Sequence, residues 1–503
     1  MRARRALPVA LACALTVAGC DSGITGDRGA ARKGGTVLVG LAQPPDSLDP
    51  ALAAAPDALQ ALWQAYTPPM TYRRAEGAQG TQMVAGLAEA APESMDDGRT
   101  FRFKFRRDLS YSDGRSVRAA DFPRAVRRSR ALNPQARALL SGIRSIEVNE
   151  RTRAVRVELT APDPEFPQLL TTLWTAPVPP GTPTRDLSRT PPVGVGPYRL
   201  EGRTRGRSYV LTRVRGFGLA NVPAGNVDSV TGTVAASAQR RTSQTLAGRL
   251  DVTQGEPPVA RLPEIRSEYK ARYREFPTLA GEYVAFDLDR PPFTDQDVRQ
   301  AVAFALDLRA LVRLEDGFLA PSCNTIPRQV PGYVKLDPCP YGNREGDSDL
   351  VRAEELVRGS RLRRTLVLVD PDATRRDVAL ARYGVETLRK IGLRARLART
   401  PRERLRATMR FDAITPRRPA PAPYLGVVTD SGVRSEVGAL QRDSETPKGA
   451  RWAALDRQVV QGALIAPFGV RTTGVLLSER LDADRCLRFH PVYGVDFSSL
   501  CLS

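Results

Sequence analysis

The chain has 503 residues, 42% hydrophobic and 26% charged, with 75 Lys and Arg against 55 Asp and Glu for a formal charge of +20. Its length exceeds a single small core and predicts about three domains, or two large ones. A mean hydropathy of −0.31 excludes a disordered chain and an integral membrane protein. The basic excess invites nucleic acid as a partner. However, the arginines run from Arg32 to Arg488, mostly interleaved with acids, without a helix-turn-helix, zinc-knuckle or RNA-binding signature. They read as a solvated Arg-rich surface, which also suits a protein held beside an anionic leaflet.

Arg2, Arg4 and Arg5 precede an apolar run, Ala6 to Gly19, that is too short to span a bilayer and reads as an export signal. The run ends in LTVAGC, Leu15 to Cys20, which resembles the bacterial lipobox. That resemblance implies that residues 1–19 are removed and that Cys20 is lipidated as the mature N-terminus. Two acyl chains, at about 0.8 kcal/mol per buried CH₂, anchor a protein that one chain holds only marginally. Residues 20–32, small and polar with glycines, read as a flexible tether on the extracytoplasmic face of the cell membrane.

Thr36 to Leu41 reads as a strand broken by the turn residues of PPDSLDP, Pro44 to Pro50. Phe101 to Arg106 and Ala154 to Leu159 alternate with period two, as in a small antiparallel sheet with one wet face. Ala176 to Pro197 is a Pro/Gly-rich connection. After Phe293, a capping-box-like Thr294 and Asp297 open a helix whose apolar face runs from Val298 through Val312. Thr365 to Val369, Thr374 to Lys390 and Leu393 to Leu397 read as strand, helix and strand, with Gly392 as the helix stop. Thr415 to Pro423 reads as a connection or a cleft-lining loop, and the body is α/β.

Cys13 leaves with the signal, which leaves Cys323, Cys339, Cys486 and Cys501 besides Cys20. Four cysteines in an exported chain suggest two disulfides, with three connectivities open. The sequence-local pairs Cys323–Cys339 and Cys486–Cys501 are favoured, and spacings of 16 and 15 residues suit a zinc site poorly. No metal or cofactor is implied. Chemistry is equally sparse. There is no G-x-S-x-G elbow, Walker A loop or H-E-x-x-H, and the one histidine, His490, reads as structural. Asp96 and Asp97 fit a turn, so the chain does not read as an enzyme.

Several blocks carry a resemblance: GGTVLVGLAQPPDSLDP (Gly34 to Pro50), LAEAAPESMDDGRTFRFKFRRDLSYSDGRSVRAADF (Leu87 to Phe122), VGVGPYRL (Val193 to Leu200), YVAFDLDRPPFTDQDVRQAVAFALD (Tyr283 to Asp307) and APFGV (Ala466 to Val470). In this order they resemble the family 5 solute-binding lipoproteins of ABC importers, the class that includes oligopeptide- and dipeptide-binding proteins. The resemblance implies a periplasmic-binding-protein-like α/β fold of type II (cluster C), with two lobes of mixed sheet flanked by helices and an extra small α+β domain. It divides the chain into lobe I (33–70, 176–283 and 467–503), an insert (71–175) and lobe II (284–466), with crossings near Val284 to Asp287 and Ala466 to Gly469. The implied role is capture of an oligopeptide or similar-sized solute by a monomer that delivers it to ABC permease subunits.

In peptide-binding relatives, an acid that follows a segment like Phe411 to Ala413, near a Trp, holds the ligand's amino terminus. Here Ile414 to Gly426 contains neither. Arg417 and Arg418 are therefore expected to face an anionic group. Tyr424 and Trp174 are expected to stack on the ligand, and Trp452 to be a helix-core residue. A metal chelate or oligosaccharide is the alternative ligand, and a surface sensor that has lost transport is the alternative role.

Overall fold

A computed structural model describes residues 32–203, 207–342, 347–371, 374–416, 418–443 and 448–503. The export segment, Cys20 and Arg417 lie outside the described residues. One sheet of 11 strands runs through the molecule. In chain order these are β1 (Thr36–Leu41), β2 (Tyr198–Arg203), β3 (Ser208–Arg213), β4 (Ser229–Val234), β5 (Val252–Gln254), β6 (Tyr273–Phe286), β7 (Leu319–Pro321), β8 (Leu366–Asp370), β9 (Arg394–Leu397), β10 (Met409–Ile414) and β11 (Ile465–Leu477). The spatial order is β9-β8-β10-β6-β11-β5-β1-β4-β3-β2, with β7 on the edge of β11.

The two longest strands, β6 and β11, pair antiparallel from one end of the sheet to the other and join its halves. Their ladder slips between Pro277 and Gly281 and again between Glu282 and Tyr283. Pro277 has no N–H to give the ladder, and Thr278 Oγ1 takes over by donating to the Arg471 carbonyl at 2.8 Å. The irregularity therefore begins before the crossing expected at Val284 to Asp287.

Separate cores lie on either side of this crossing. In the first lobe, Val37, Val39, Tyr209 and Leu211 pack against the helix Pro56–Ala65 and the C-terminal residues Phe497 and Leu500. The second lobe is covered on both faces. Val284 and Phe286 meet the helices Gln296–Ala305 and Arg375–Lys390, while Tyr283 faces the helices Ser431–Arg442 and Gly449–Gln461. This alternation along β6 is the pleat of a strand buried on both sides.

The insert is a four-stranded antiparallel sheet carrying Phe101 and Phe103, closed by Phe122 of the helix Asp121–Leu132. That helix is fastened to the first lobe by Arg128, whose guanidinium donates to both carboxylate oxygens of Asp49 at 2.7 and 2.5 Å, with both side chains buried. The PPDSLDP segment is thus a counter-ion holder as well as a turn.

The β8–helix–β9 unit is parallel with Leu366 opposite Arg394, and Thr374 and Asp377 form a full capping box. The helix after Phe293 differs from expectation. Asp295 is its cap, and it ends at Ala305 because the Asp307 carboxylate caps a second helix, Leu308–Leu314. Both sequence-local disulfides are present, with Cα separations of 5.8 Å for Cys323–Cys339 and 5.5 Å for Cys486–Cys501.

Candidate functional site

Register fixes where the two lobes face each other. β1, β4 and β5 are parallel, and β5 lies antiparallel to β11, so their carboxyl ends point toward the crossing. β8 and β10 are parallel, and β10 lies antiparallel to β6, so theirs do too. The crevice outside strand carboxyl ends is where open α/β sheets bind ligands. Here the segments after β1, β5, β8 and β10 converge on it from both sides.

At the crossing lies a charged array. Arg376, in the first turn of the helix Arg375–Lys390, reaches Glu282 of β6 at 2.8 Å and Glu315 at 2.5 Å. Arg471 of β11 reaches the same two carboxylates at 3.3 and 3.0 Å, and Glu256 of the first lobe at 3.9 Å. Burial pushes the Glu282 carboxyl above its usual range, and Arg376 opposes that shift. Two buried acids and two cations thereby tie the crossing strands to second-lobe helices.

Further along, the insert touches the second lobe directly. Thr81 Oγ1 donates to the Gln329 carbonyl at 2.6 Å. Glu165 of the insert is raised by burial and eased by Arg418, by Lys448 and by a hydrogen bond with Gln441, all of the second lobe. Arg418 also eases Tyr72, whose hydroxyl burial lifts to about 12. Arg418, in the loop after β10, thus lies close enough to Glu165 and Tyr72 of the insert to act on both electrostatically.

Tyr424 and Trp174 do not line the cleft. The Tyr424 ring is fully buried in the second-lobe core and its hydroxyl donates to the Leu279 carbonyl at 2.6 Å. Trp174 is buried in the insert core, where its carbonyl accepts from Ser129 Oγ. Large rings are withdrawn from water wherever a core is available, and this correction follows from that. Trp452 is core as expected. Asp412, beside the departed acid position, is held by Arg410 Nε at 2.8 Å.

His490 is buried, with Nδ1 accepting from the Val492 and Tyr493 amides at 3.2 Å each and its ring 4.6 Å from Trp63. Burial lowers it to about 3, which keeps it neutral and structural. The residues that sequence reasoning missed are Glu165, Glu256, Glu282, Glu315, Arg376 and Arg471. They come from separate elements, and no local pattern marks them.

A cavity of about 1130 Å³ lies within the second lobe beneath the Cys323–Cys339 loop, lined by Leu306, Val312, Tyr333, Leu336 and Tyr341. Apart from Pro467 of the crossing strand β11 its wall belongs to the second lobe, so lobe movement has no opposing wall to close over it, and the cleft is the better site. Among the described residues, no group of three or more His, Cys, Asp or Glu converges as a metal centre. No described helix is long and apolar enough to cross a membrane.

The model of the bacterial extracellular solute-binding proteins, family 5 (middle) matches residues 82–423. The chain belongs to this family. It is a solute-binding protein of ABC importers and not an enzyme. The solute-binding protein is 27% identical to Protein XP55 of Streptomyces lividans over 448 residues, which are 82% of this chain and 77% of the relative. It is 28% identical over 273 residues to the peptide transport periplasmic protein SapA of Salmonella typhimurium, spanning 49% of this chain and about half (47%) of SapA. Its fold matches the unliganded open form of the periplasmic murein tripeptide binding protein MppA, with a TM-score of 0.77 at 17% identity, over 94% of this chain and 98% of that one.

Proposed function

We propose that this protein captures an extracellular oligopeptide, or a solute of similar size, between its lobes and delivers it unaltered to an ABC permease as a monomer. In this reading lobe I comprises 33–70, 176–283 and 467–503, the insert 71–175 and lobe II 284–466. An acylated Cys20 holds the protein at the extracytoplasmic membrane face. The observation that carries the reading is the β6–β11 crossing, with strand carboxyl ends of both halves converging on it. A ligand that touches both walls binds the closed arrangement more tightly, and this difference alone shifts the population toward closure.

Arg418, with Arg417 beside it in sequence, is the cation proposed to meet an anionic ligand group, which would compete with Glu165 for it. SapA is described as a peptide transport protein and MppA as a murein tripeptide binder, and both descriptions favour a peptide here. The missing acid and Trp after Phe411 to Ala413 favour the second reading, a metal chelate or oligosaccharide.

Native mass spectrometry of gently purified protein identifies any co-purifying solute, and thermal shifts with a peptide library test the class. Peptide capture is wrong if no peptide raises the melting temperature while another solute does. Mass spectrometry of membrane-extracted protein tests the anchor, which requires a mature start at acylated Cys20.

A further inference from the structure

Charge is unevenly distributed along this chain. Residues 356–406 hold 15 basic and 5 acidic side chains, so about a tenth of the sequence supplies half of the +20. The fold gathers much of that excess at one place. β8 and β9 start side by side, Leu366 opposite Arg394, with their amino ends directed away from the β6–β11 crossing. Arg358 ends the helix Leu350–Gly359, and the turn that follows carries Arg361, Arg363 and Arg364. Arg389 and Lys390 end the neighbouring helix, and Arg404 and Arg406 flank the return to β10.

All nine of these cations are exposed. Arg358 has Glu354 at 4.0 Å, and none of the other eight has a carboxylate at ion-pair distance among the described residues. The nearby acids are few and mostly paired: Glu403 is taken by Arg396 at 2.7 Å and Asp287 by Arg290 at 2.5 Å.

A second observation bears on the partner. Among the described residues the most exposed large apolar side chain, Leu405 at 83%, lies on this pole between Arg404 and Arg406, and Leu366 at 40% joins it there; Val234, Val259, Val334 and Val351 are exposed as well. A soluble polyanion gains nothing from a protruding leucine, whereas cations around an exposed apolar side chain match the headgroup and acyl boundary of an anionic bilayer. The described chain enters the fold at the other extreme, where Arg32 pairs with Leu502 before β1 begins.

We propose that the outer pole of the second lobe is a contact surface for anionic phospholipid. With a tether at one pole and lipid contact at the other, the long axis lies along the bilayer instead of standing on it, which keeps the cleft beside a permease. The orientation rests on the membrane-tethered capture reading; the lipid contact is tested independently of it.

The test uses the mature chain, residues 20–503, produced unacylated with Cys20→Ser behind a non-lipoprotein export signal. It is mixed with vesicles of phosphatidylcholine with or without about 30% phosphatidylglycerol. The protein should sediment with the anionic vesicles only, and less as salt rises. Each cation near such a surface contributes about fivefold, so Arg361→Glu, Arg363→Glu and Arg364→Glu together should weaken binding at least about tenfold. Leu405→Ser should cause a smaller loss.

The same reversal at Arg107, Arg127 and Arg151, exposed on the insert, should leave binding nearly unchanged. The proposal is overturned if anionic vesicles are not bound, if the insert reversal weakens binding as much as the pole reversal, or if inorganic polyphosphate binds the pole more tightly than vesicles do. Melting temperature and solute-induced thermal shift are followed in every variant. A lost solute shift would speak against the capture reading, and lost vesicle binding alone against this one.

Discussion

Glu282 and Arg471 meet at 3.3 Å where the two long strands β6 and β11 cross between the lobes. The contact is one side of a closed set, since Arg376 holds Glu282 from the second lobe and Glu315 joins both arginines. A charge buried at a crossing has to be matched locally, because water is not available to solvate it when the lobes move.

Removing one cation from this set should therefore cost more than its partial exposure suggests. Arg376→Ala leaves Glu282 and Glu315 sharing Arg471 alone and should destabilise the protein by about 2 kcal/mol, less than for a fully buried pair because Arg376 is partly solvated. Urea denaturation measures it, and a change below about 0.5 kcal/mol would show that the array is solvated and idle.

His490 predicts acid sensitivity. Its folded value is lowered to about 3, whereas the unfolded imidazole titrates near 6.5. As pH falls below about 6.5 the unfolded chain takes up a proton that the folded chain refuses until about 3, so stability is complete above that window and declines through it, by up to about 1.4 kcal/mol per unit. His490→Gln should flatten the decline. Parallel melting curves for both proteins from neutral to acid pH would refute the assignment.

At the cleft, Arg418→Ala should weaken binding of an identified anionic solute about tenfold, the range of a charge-assisted hydrogen bond. Calorimetry with the co-purified ligand decides it. Unchanged affinity would remove Arg418 from the binding surface.

The two disulfides close short loops. Replacing Cys486 and Cys501 by Ala should cost about 3 kcal/mol on the loop-entropy estimate and release the C-terminal segment that packs on the first lobe. Limited proteolysis should then cut near residue 490 earlier than in the parent. Equal cleavage rates would show that packing alone holds that segment.

Much of this protein was written locally. Period-two alternation marked Phe101–Arg106 and Ala154–Leu159, and the glycine stop at Gly392 marked the helix end in the β8–helix–β9 unit, because each depends on residues a few positions apart. Cysteine spacing likewise favoured the two pairs that the structure contains. What a side chain touches across the molecule had no such signature. Tyr424 and Trp174 looked like stacking surfaces until packing drew them into cores, and the helix predicted through Val312 was divided by a cap at Asp307. Glu282 finds Arg376 94 residues away and Glu315 finds Arg471 156 residues away. Chain folding alone decided those partnerships, since burial and charge pairing are settled by neighbours in space, while periodicity records only neighbours in sequence.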